Sequence, residues 1–238
     1  MHIVTTDFVS GAQAARGVAV IIDVFRAFTV ACYGLERGAS ALLPVGEVEE
    51  ALALRQQYPD ALLIGEREGK PLPGFDIGNS PSQILSTRLN GRPVIQTTHA
   101  GTQGLVNATQ ADVVLTGALV NAAATARYIQ SLAPETVTLV RMGWKAETRT
   151  DEDDACAEYL HRLLLGETPD TNSLKQQLMR SPCAARFLDP AQPWNPREDL
   201  GLCLAVNRFN FALKANRNSK GQLALTHVQL PQICPSPP

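Results

Sequence analysis

Short apolar runs rich in β-branched residues alternate with stretches of helical spacing from residue 18 to about residue 165, and that rhythm leaves few architectures open. The runs fall at 18–22, 41–44, 61–64, 93–96, 112–115 and 136–140. Helices are predicted over 27–37, 48–58, 83–89, 102–108, 121–132 and 152–165, mostly long enough to cross over a sheet between parallel strands. The expectation is an α/β fold in three layers, α/β/α, with a mainly parallel or mixed sheet.

Beyond Gly166 the rhythm gives way to a polar helical stretch at 173–180 and a proline-containing segment with Trp194. A hairpin from 209–215 to 222–229 follows, turning through Asn-Arg-Asn-Ser-Lys-Gly. The chain therefore reads as a single domain over 1–238, with a core at about 18–165 and a carboxy-terminal elaboration at 166–238 forming an appended layer or lid. The proline-rich end at 231–238 reads as a loose tail.

With 45% hydrophobic residues in 238, the chain can bury a large core, and its content would suit a homodimer. A formal charge of −2 and a pI near 6.1 give no basic surplus, so neither nucleic acid nor an anionic membrane is an expected partner. No apolar run approaches the roughly 18–20 residues that span a bilayer. The five cysteines are widely spaced, with no Cys-x-x-Cys pair and no neighbouring histidine, which argues against zinc and against a disulfide framework. Met-His-Ile-Val-Thr-Thr-Asp shows no basic segment leading into an apolar one, so a reduced, cytoplasmic protein is expected.

In open α/β sheets ligands bind beyond the carboxyl ends of the strands. At those ends this chain places Asp23-Val24-Phe25-Arg26, Glu66-Arg67-Glu68, the run from Thr97 to Thr102, Arg141-Met142-Gly143-Trp144, and the acidic cluster Asp151-Glu152-Asp153-Asp154. The loop at 64–82 is dense in charged residues and glycines and closes on Asn79-Ser80-Pro81, a cap followed by a first-turn proline. Asp23 suits a metal ligand or proton acceptor, and equally a helix cap. Arg26 could clamp a phosphoryl oxygen or form a plain ion pair. Thr97, Thr98, Gly101 and Thr102 offer hydroxyls and amides for an anion, or simply cap a helix; His99 reads as structural before catalytic. From the acidic cluster, either Glu152 or Asp153 could turn toward the cleft, or the whole cluster could serve the helix dipole.

Taken in order, Val-Ile-Ile-Asp-Val-Phe-Arg-Ala, Gly-Glu-Arg-Glu-Gly with Gly-Phe-Asp-Ile-Gly-Asn-Ser-Pro, Thr-Thr-x-x-Gly-Thr and Glu-Asp-Asp-x-Cys-Ala resemble the 2-phosphosulfolactate phosphatase family over residues 20–160. That resemblance implies a Mg²⁺-dependent phosphatase releasing inorganic phosphate from 2-phospho-3-sulfolactate, a step toward coenzyme M, or from a related phosphorylated 2-hydroxy acid. Mg²⁺ would be held by Asp23 with Glu66 or Asp153. Arg26, Arg67, Arg141, the threonines and the amides near Asn79, Ser80 and Gly101 would bind phosphate. A sulfonate would need a further cation, for which Lys70, Arg141 and Lys145 are candidates.

Haloacid-dehalogenase phosphatases carry a second aspartate two residues after the nucleophile, where this chain has Phe25, so an aspartyl-phosphate intermediate is disfavoured. The rival readings are a non-catalytic module that binds a small molecule or phosphate, and a dinucleotide oxidoreductase. Against the second, no Gly-x-Gly-x-x-Gly follows a predicted strand.

Overall fold

A computed structural model describes residues 1–229. The chain runs β1 (His2–Asp7), α1 (Phe8–Ala14), β2 (Val18–Ile22), α2 (Ala27–Glu36), β3 (Leu42–Pro44), α3 (Val48–Gln57), β4 (Leu62–Arg67), β5 (Lys70–Pro71) and α4 (Pro81–Ser86). It continues with β6 (Val94–Thr97), α5 (Gly101–Asn107), β7 (Val113–Gly117), a 3-10 turn (Leu119–Asn121), α6 (Ala122–Leu132), β8 (Thr136–Arg141) and α7 (Asp151–Leu164). The last part holds α8 (Thr171–Met179), α9 (Pro182–Ala185), α10 (Arg197–Cys203), β9 (Phe211–Arg217) and β10 (Leu223–Gln229). The fold is α/β, with ten strands in one mixed sheet and helices on both faces. The tail expected at 231–238 and Cys234 lie outside the described residues.

The strand order is β1-β8-β2-β7-β9-β10-β3-β6-β4-β5. Two parallel blocks, β1-β8-β2-β7 and β3-β6-β4, are joined by the antiparallel pair β9-β10. The hairpin read as part of an appended layer is thus the middle of the sheet. Its sequence shows two strands and a turn, but the partners of a strand are chosen by long-range burial, and Leu213 and Leu225 bury against α2 rather than over it. The rest of the carboxy-terminal part does form a layer: α8 and α9 pack on α7, and α10 packs on α4.

Because β7 pairs antiparallel with β9, and β10 with β3, the two blocks point in opposite directions along the ladder. Twist turns them toward each other. At roughly 20–25° per strand, the five steps from β2 to β6 rotate the strand direction by roughly 100–125°, so that the carboxyl ends of both blocks converge. The curled sheet encloses α2, whose residues from Ala27 to Leu35 are all buried. A helix apolar on every side requires such a position. Burial of Phe28 or Val30, both fully enclosed, contributes about 1.5–3 kcal/mol each.

Strand alternation distributes the core among three clusters. Val18, Val20 and Ile22 face α6 and α7, whereas Ala19 and Ile21 face α2. In the second block Leu42, Leu62, Ile64 and Val94 face α2, and Leu43, Leu63 and Ile95 face α3.

Several details differ from the predicted elements. The strand expected at 61–64 continues to Arg67 and returns through β5 across Glu68 and Gly69, both at positive φ, the geometry of a two-residue hairpin turn. The helix expected from Gln83 begins at Pro81, capped by the Ser80 hydroxyl accepting from the Gln83 amide. β1 and α1 were not predicted at all, since Thr5, Thr6 and Asp7 give an edge strand no apolar run. Among the described residues no helix is long and apolar enough to cross a membrane.

Candidate active site

The converging strand ends form a cleft lined by Asp23, Phe25, Arg26, Glu66, Asn79, His99, Trp144 and Arg186 among others. β2 delivers Asp23, whose amide extends the ladder by donating to the Gly117 carbonyl. Its Oδ1 accepts from the Ala27 amide at 3.1 Å, at the start of α2. Oδ2 has no partner among the described residues and faces Gly101. The cap and the cleft group are therefore two oxygens of one carboxylate. Burial pushes the Asp23 carboxyl up to about 7, against the pull of the Ala27 amide and with added repulsion from Glu66 and Glu152.

Gly101 opens α5 against this carboxylate: a Cβ there would stand 2.7 Å from Asp23 Oδ2 and 2.8 Å from the Ala27 Cβ. Only glycine lets the two segments approach so closely. Glu66, at the end of the extended β4, accepts from the His99 amide through Oε1 and from the Gly69 amide through Oε2, both at 2.7 Å. One carboxylate thus fixes the β4–β5 turn to the loop before α5.

Arg26 is buried and donates through Nη1 to Asp199 Oδ2 at 2.7 Å and to the Trp194 carbonyl at 3.0 Å. Its Nη2 reaches the Gly69 carbonyl. Asp199, in α10, also accepts from the Ser80 hydroxyl and the Ser82 amide through Oδ1. Buried Gln96 donates to Asn79 Oδ1 at 3.2 Å, which leaves the Asn79 Nδ2 for the cleft.

Other predicted site residues brace this cleft from behind. The Arg67 guanidinium is spent on the Glu66 and Gly46 carbonyls and Thr97 Oγ1. Thr98 and Thr102 cap α5 reciprocally, each amide donating to the other's hydroxyl. Asp153 lies behind the wall, with Oδ1 accepting from the Val24 amide at 2.9 Å and Oδ2 from the Gly143 amide at 2.8 Å. That brace ties β2 to β8, and a Cβ at Gly143, which has φ +62°, would lie 2.2 Å from the Thr148 carbonyl oxygen. Burial, then Glu152 and Asp23, raise the Asp153 carboxyl well above the carboxylate range.

Three further cations are placed differently from one another. Arg141 pairs with Asp7 at 2.8 Å and Asp154 at 3.1 Å, away from the lining residues. Lys145 lines the cleft but pairs with Glu68, and Lys70 sits 5.3 Å from the Trp194 ring centroid. Arg186 and Asp199 belonged to no predicted motif. Both come from the polar segment after Gly166, where only their flanking apolar residues, Phe187 and Leu200, hint at burial.

Two buried carboxylates, Asp23 and Glu66, share one cleft with the guanidinium groups of Arg26, at the start of α2, and Arg186, just after α9, which makes this the site of an α/β enzyme that handles an anionic substrate. The chain belongs to the 2-phosphosulpholactate phosphatase family, whose sequence model matches residues 3–216, and it is a phosphatase of that family. A probable 2-phosphosulfolactate phosphatase of Bacillus subtilis is 30% identical over 208 residues, 87% of this chain and 90% of the relative. Proteins with the same name from Deinococcus radiodurans and Caldanaerobacter subterraneus are 44% identical over 154 residues and 32% identical over 209 residues. The first match covers 63% of each chain; the second covers 82% of this chain and 86% of the relative.

Proposed function

We propose that the protein hydrolyses the phosphate monoester of a 2-hydroxy acid, with 2-phospho-3-sulfolactate as the first candidate, and that it does so with Mg²⁺. The observation that carries the reading is the pairing, in one cleft, of cleft-facing Asp23 and Glu66 with Arg26 and Arg186. A module that merely binds an anion gains nothing from two buried carboxylates beside it.

The donor set fits a hard divalent ion. Asp23 Oδ2 is unpartnered, each Glu66 oxygen keeps a lone pair beyond its amide, and Mg²⁺ takes one or two carboxylates with water and substrate phosphate completing its shell. Among the described residues no group of three or more His, Cys, Asp and Glu is arranged as ligands, so the two carboxylates are the protein's share. Such an ion would neutralise phosphate charge and make bound water more acidic.

The chain's own groups do the rest. Arg26, held by Asp199, and the Asn79 Nδ2, turned by Gln96, orient the phosphoryl oxygens. Asp23 orients the attacking water at the cleft face. Phe25, where a second carboxylate would be needed for an aspartyl-phosphate route, packs edge-on against Phe187 with centroids 5.2 Å apart. That choice of residue favours direct attack by water over an aspartyl-phosphate route.

The test is phosphate release from racemic 2-phospho-3-sulfolactate beside 2-phospholactate and phosphoglycolate, with Mg²⁺ and with EDTA. Mg²⁺-dependent release selective for the sulfonate supports the proposal. Release only from the other esters moves the substrate while keeping the chemistry, and no release from any ester turns the reading to a binding module.

A further inference from the structure

Three cations line the cleft, and they differ in what they have left to give. Arg26 is matched by buried Asp199 and holds two carbonyls, and Lys145 is matched by Glu68. Arg186 stands apart. Its Nη2 donates to the Phe25 carbonyl at 2.9 Å and to Glu152 Oε1 at 3.3 Å, Nε is buried with no partner, and Nη1 has none among the described residues.

The guanidinium is nevertheless held firmly. Its central carbon lies 5.3 Å from the Phe187 ring centroid, 5.5 Å from that of Trp144 and 5.7 Å from that of Phe25. A cation enclosed by three rings and one buried carboxylate keeps its orientation without spending its remaining donors. Arg186 and Trp144 also line an adjoining open groove of about 460 Å³, whose other walls include Arg149, Asp151, Glu152 and Pro182. The arginine and Trp144 therefore stand between the cleft and a second, more open space beside it.

We propose that Arg186 is the cation that grips the acidic group on the substrate's carbon skeleton, carboxylate or sulfonate, while the skeleton extends toward the Trp144 groove and the phosphoryl group stays with Asp23, Glu66 and Arg26. Glu152 is a positioning residue: buried, it acts through Arg186, whose Nη2 donates to its Oε1. The inference rests on the phosphatase reading above and adds which residue selects an acid over a simple alkyl phosphate. Of the cations predicted from the sequence for this task, Lys70 and Arg141 are not among the lining residues, and Lys145, which is, pairs with the exposed Glu68 and has no ring cage among the described residues to fix it.

The discriminating pair is 2-phospholactate and isopropyl phosphate, which differ by a carboxylate in place of a methyl group. In Arg186→Met the ratio of their kcat/KM values should fall about 10- to 100-fold, the range expected for losing a charge-assisted contact. Arg186→Lys should recover part of the ratio. Glu152→Gln should raise KM for 2-phospholactate with kcat little changed. An equal fall for both esters would place Arg186 on the phosphoryl group and overturn the inference.

Should the wild-type protein hydrolyse neither of these esters nor 2-phospho-3-sulfolactate, the phosphatase reading fails by itself. Calorimetry with 3-sulfolactate then reads Arg186 alone: binding weakened at least tenfold in both the Met and the Gln variants upholds the contact, and unchanged binding refutes it. Urea midpoints of each variant verify that the fold is intact.

Discussion

Asp199→Asn removes one charge and no volume from the most enclosed ion pair of the structure. Asp199 is fully buried and Arg26 is 4% exposed, with 2.7 Å between Oδ2 and Nη1. The amide keeps an acceptor for the Ser80 hydroxyl and Ser82 amide but turns a donor toward Arg26. Removing one partner of a buried pair costs about 3–5 kcal/mol because the other charge is left unmatched. Arg26 retains the Trp194 and Gly69 carbonyls, so the lower end, about 3 kcal/mol, is expected.

Equilibrium urea unfolding reads this as a lowered midpoint at an unchanged slope. The double variant Asp199→Asn/Arg26→Met should lose less than the sum of the two single changes, because the second removes the charge that the first stranded. A loss below about 1 kcal/mol, or strict additivity, would show that the pair does not anchor α10 to the cleft and would refute the reasoning.

Other consequences can be checked on the same protein. Gly101→Ala should cut phosphate release at least tenfold, since its Cβ meets Asp23 Oδ2 at 2.7 Å, and should cost about 1–3 kcal/mol in a urea titration; wild-type turnover would contradict the close approach. Leu213→Ala, on the strand pair at the centre of the sheet, should destabilise the protein by about 2–5 kcal/mol, whereas a peripheral flap would tolerate it with a loss near zero.

The parts legible in the sequence were those encoded locally. Val18 to Ile22 can hardly be anything but a strand buried on both faces, and Ser80-Pro81 announces a helix start wherever it occurs. Asp23, Arg26, Glu66 and Asn79 could be suspected because each follows a strand or precedes a helix, and the fold brings all four to one cleft.

What was hidden is non-local. Nothing near Phe211 or Leu223 tells whether their strands lie at the edge or the middle, because that depends on which blocks they join. Asp199 and Arg186 look like ordinary surface charges until α10 and α9 are packed against the cleft. Asp153 and Glu152 are adjacent acids at the start of α7, yet only the fold shows that one braces backbone amides and the other holds an arginine.

The central claim, that a carboxylate at the end of β2 drives Mg²⁺-dependent ester hydrolysis, is tested most directly by phosphate release from 2-phospho-3-sulfolactate by Asp23→Asn beside the wild type, with Mg²⁺ and with EDTA. The account predicts release by the wild type that EDTA abolishes, and a loss of at least 100-fold in the variant at an unchanged circular dichroism spectrum. Wild-type rates in the variant, or release indifferent to EDTA, would contradict it.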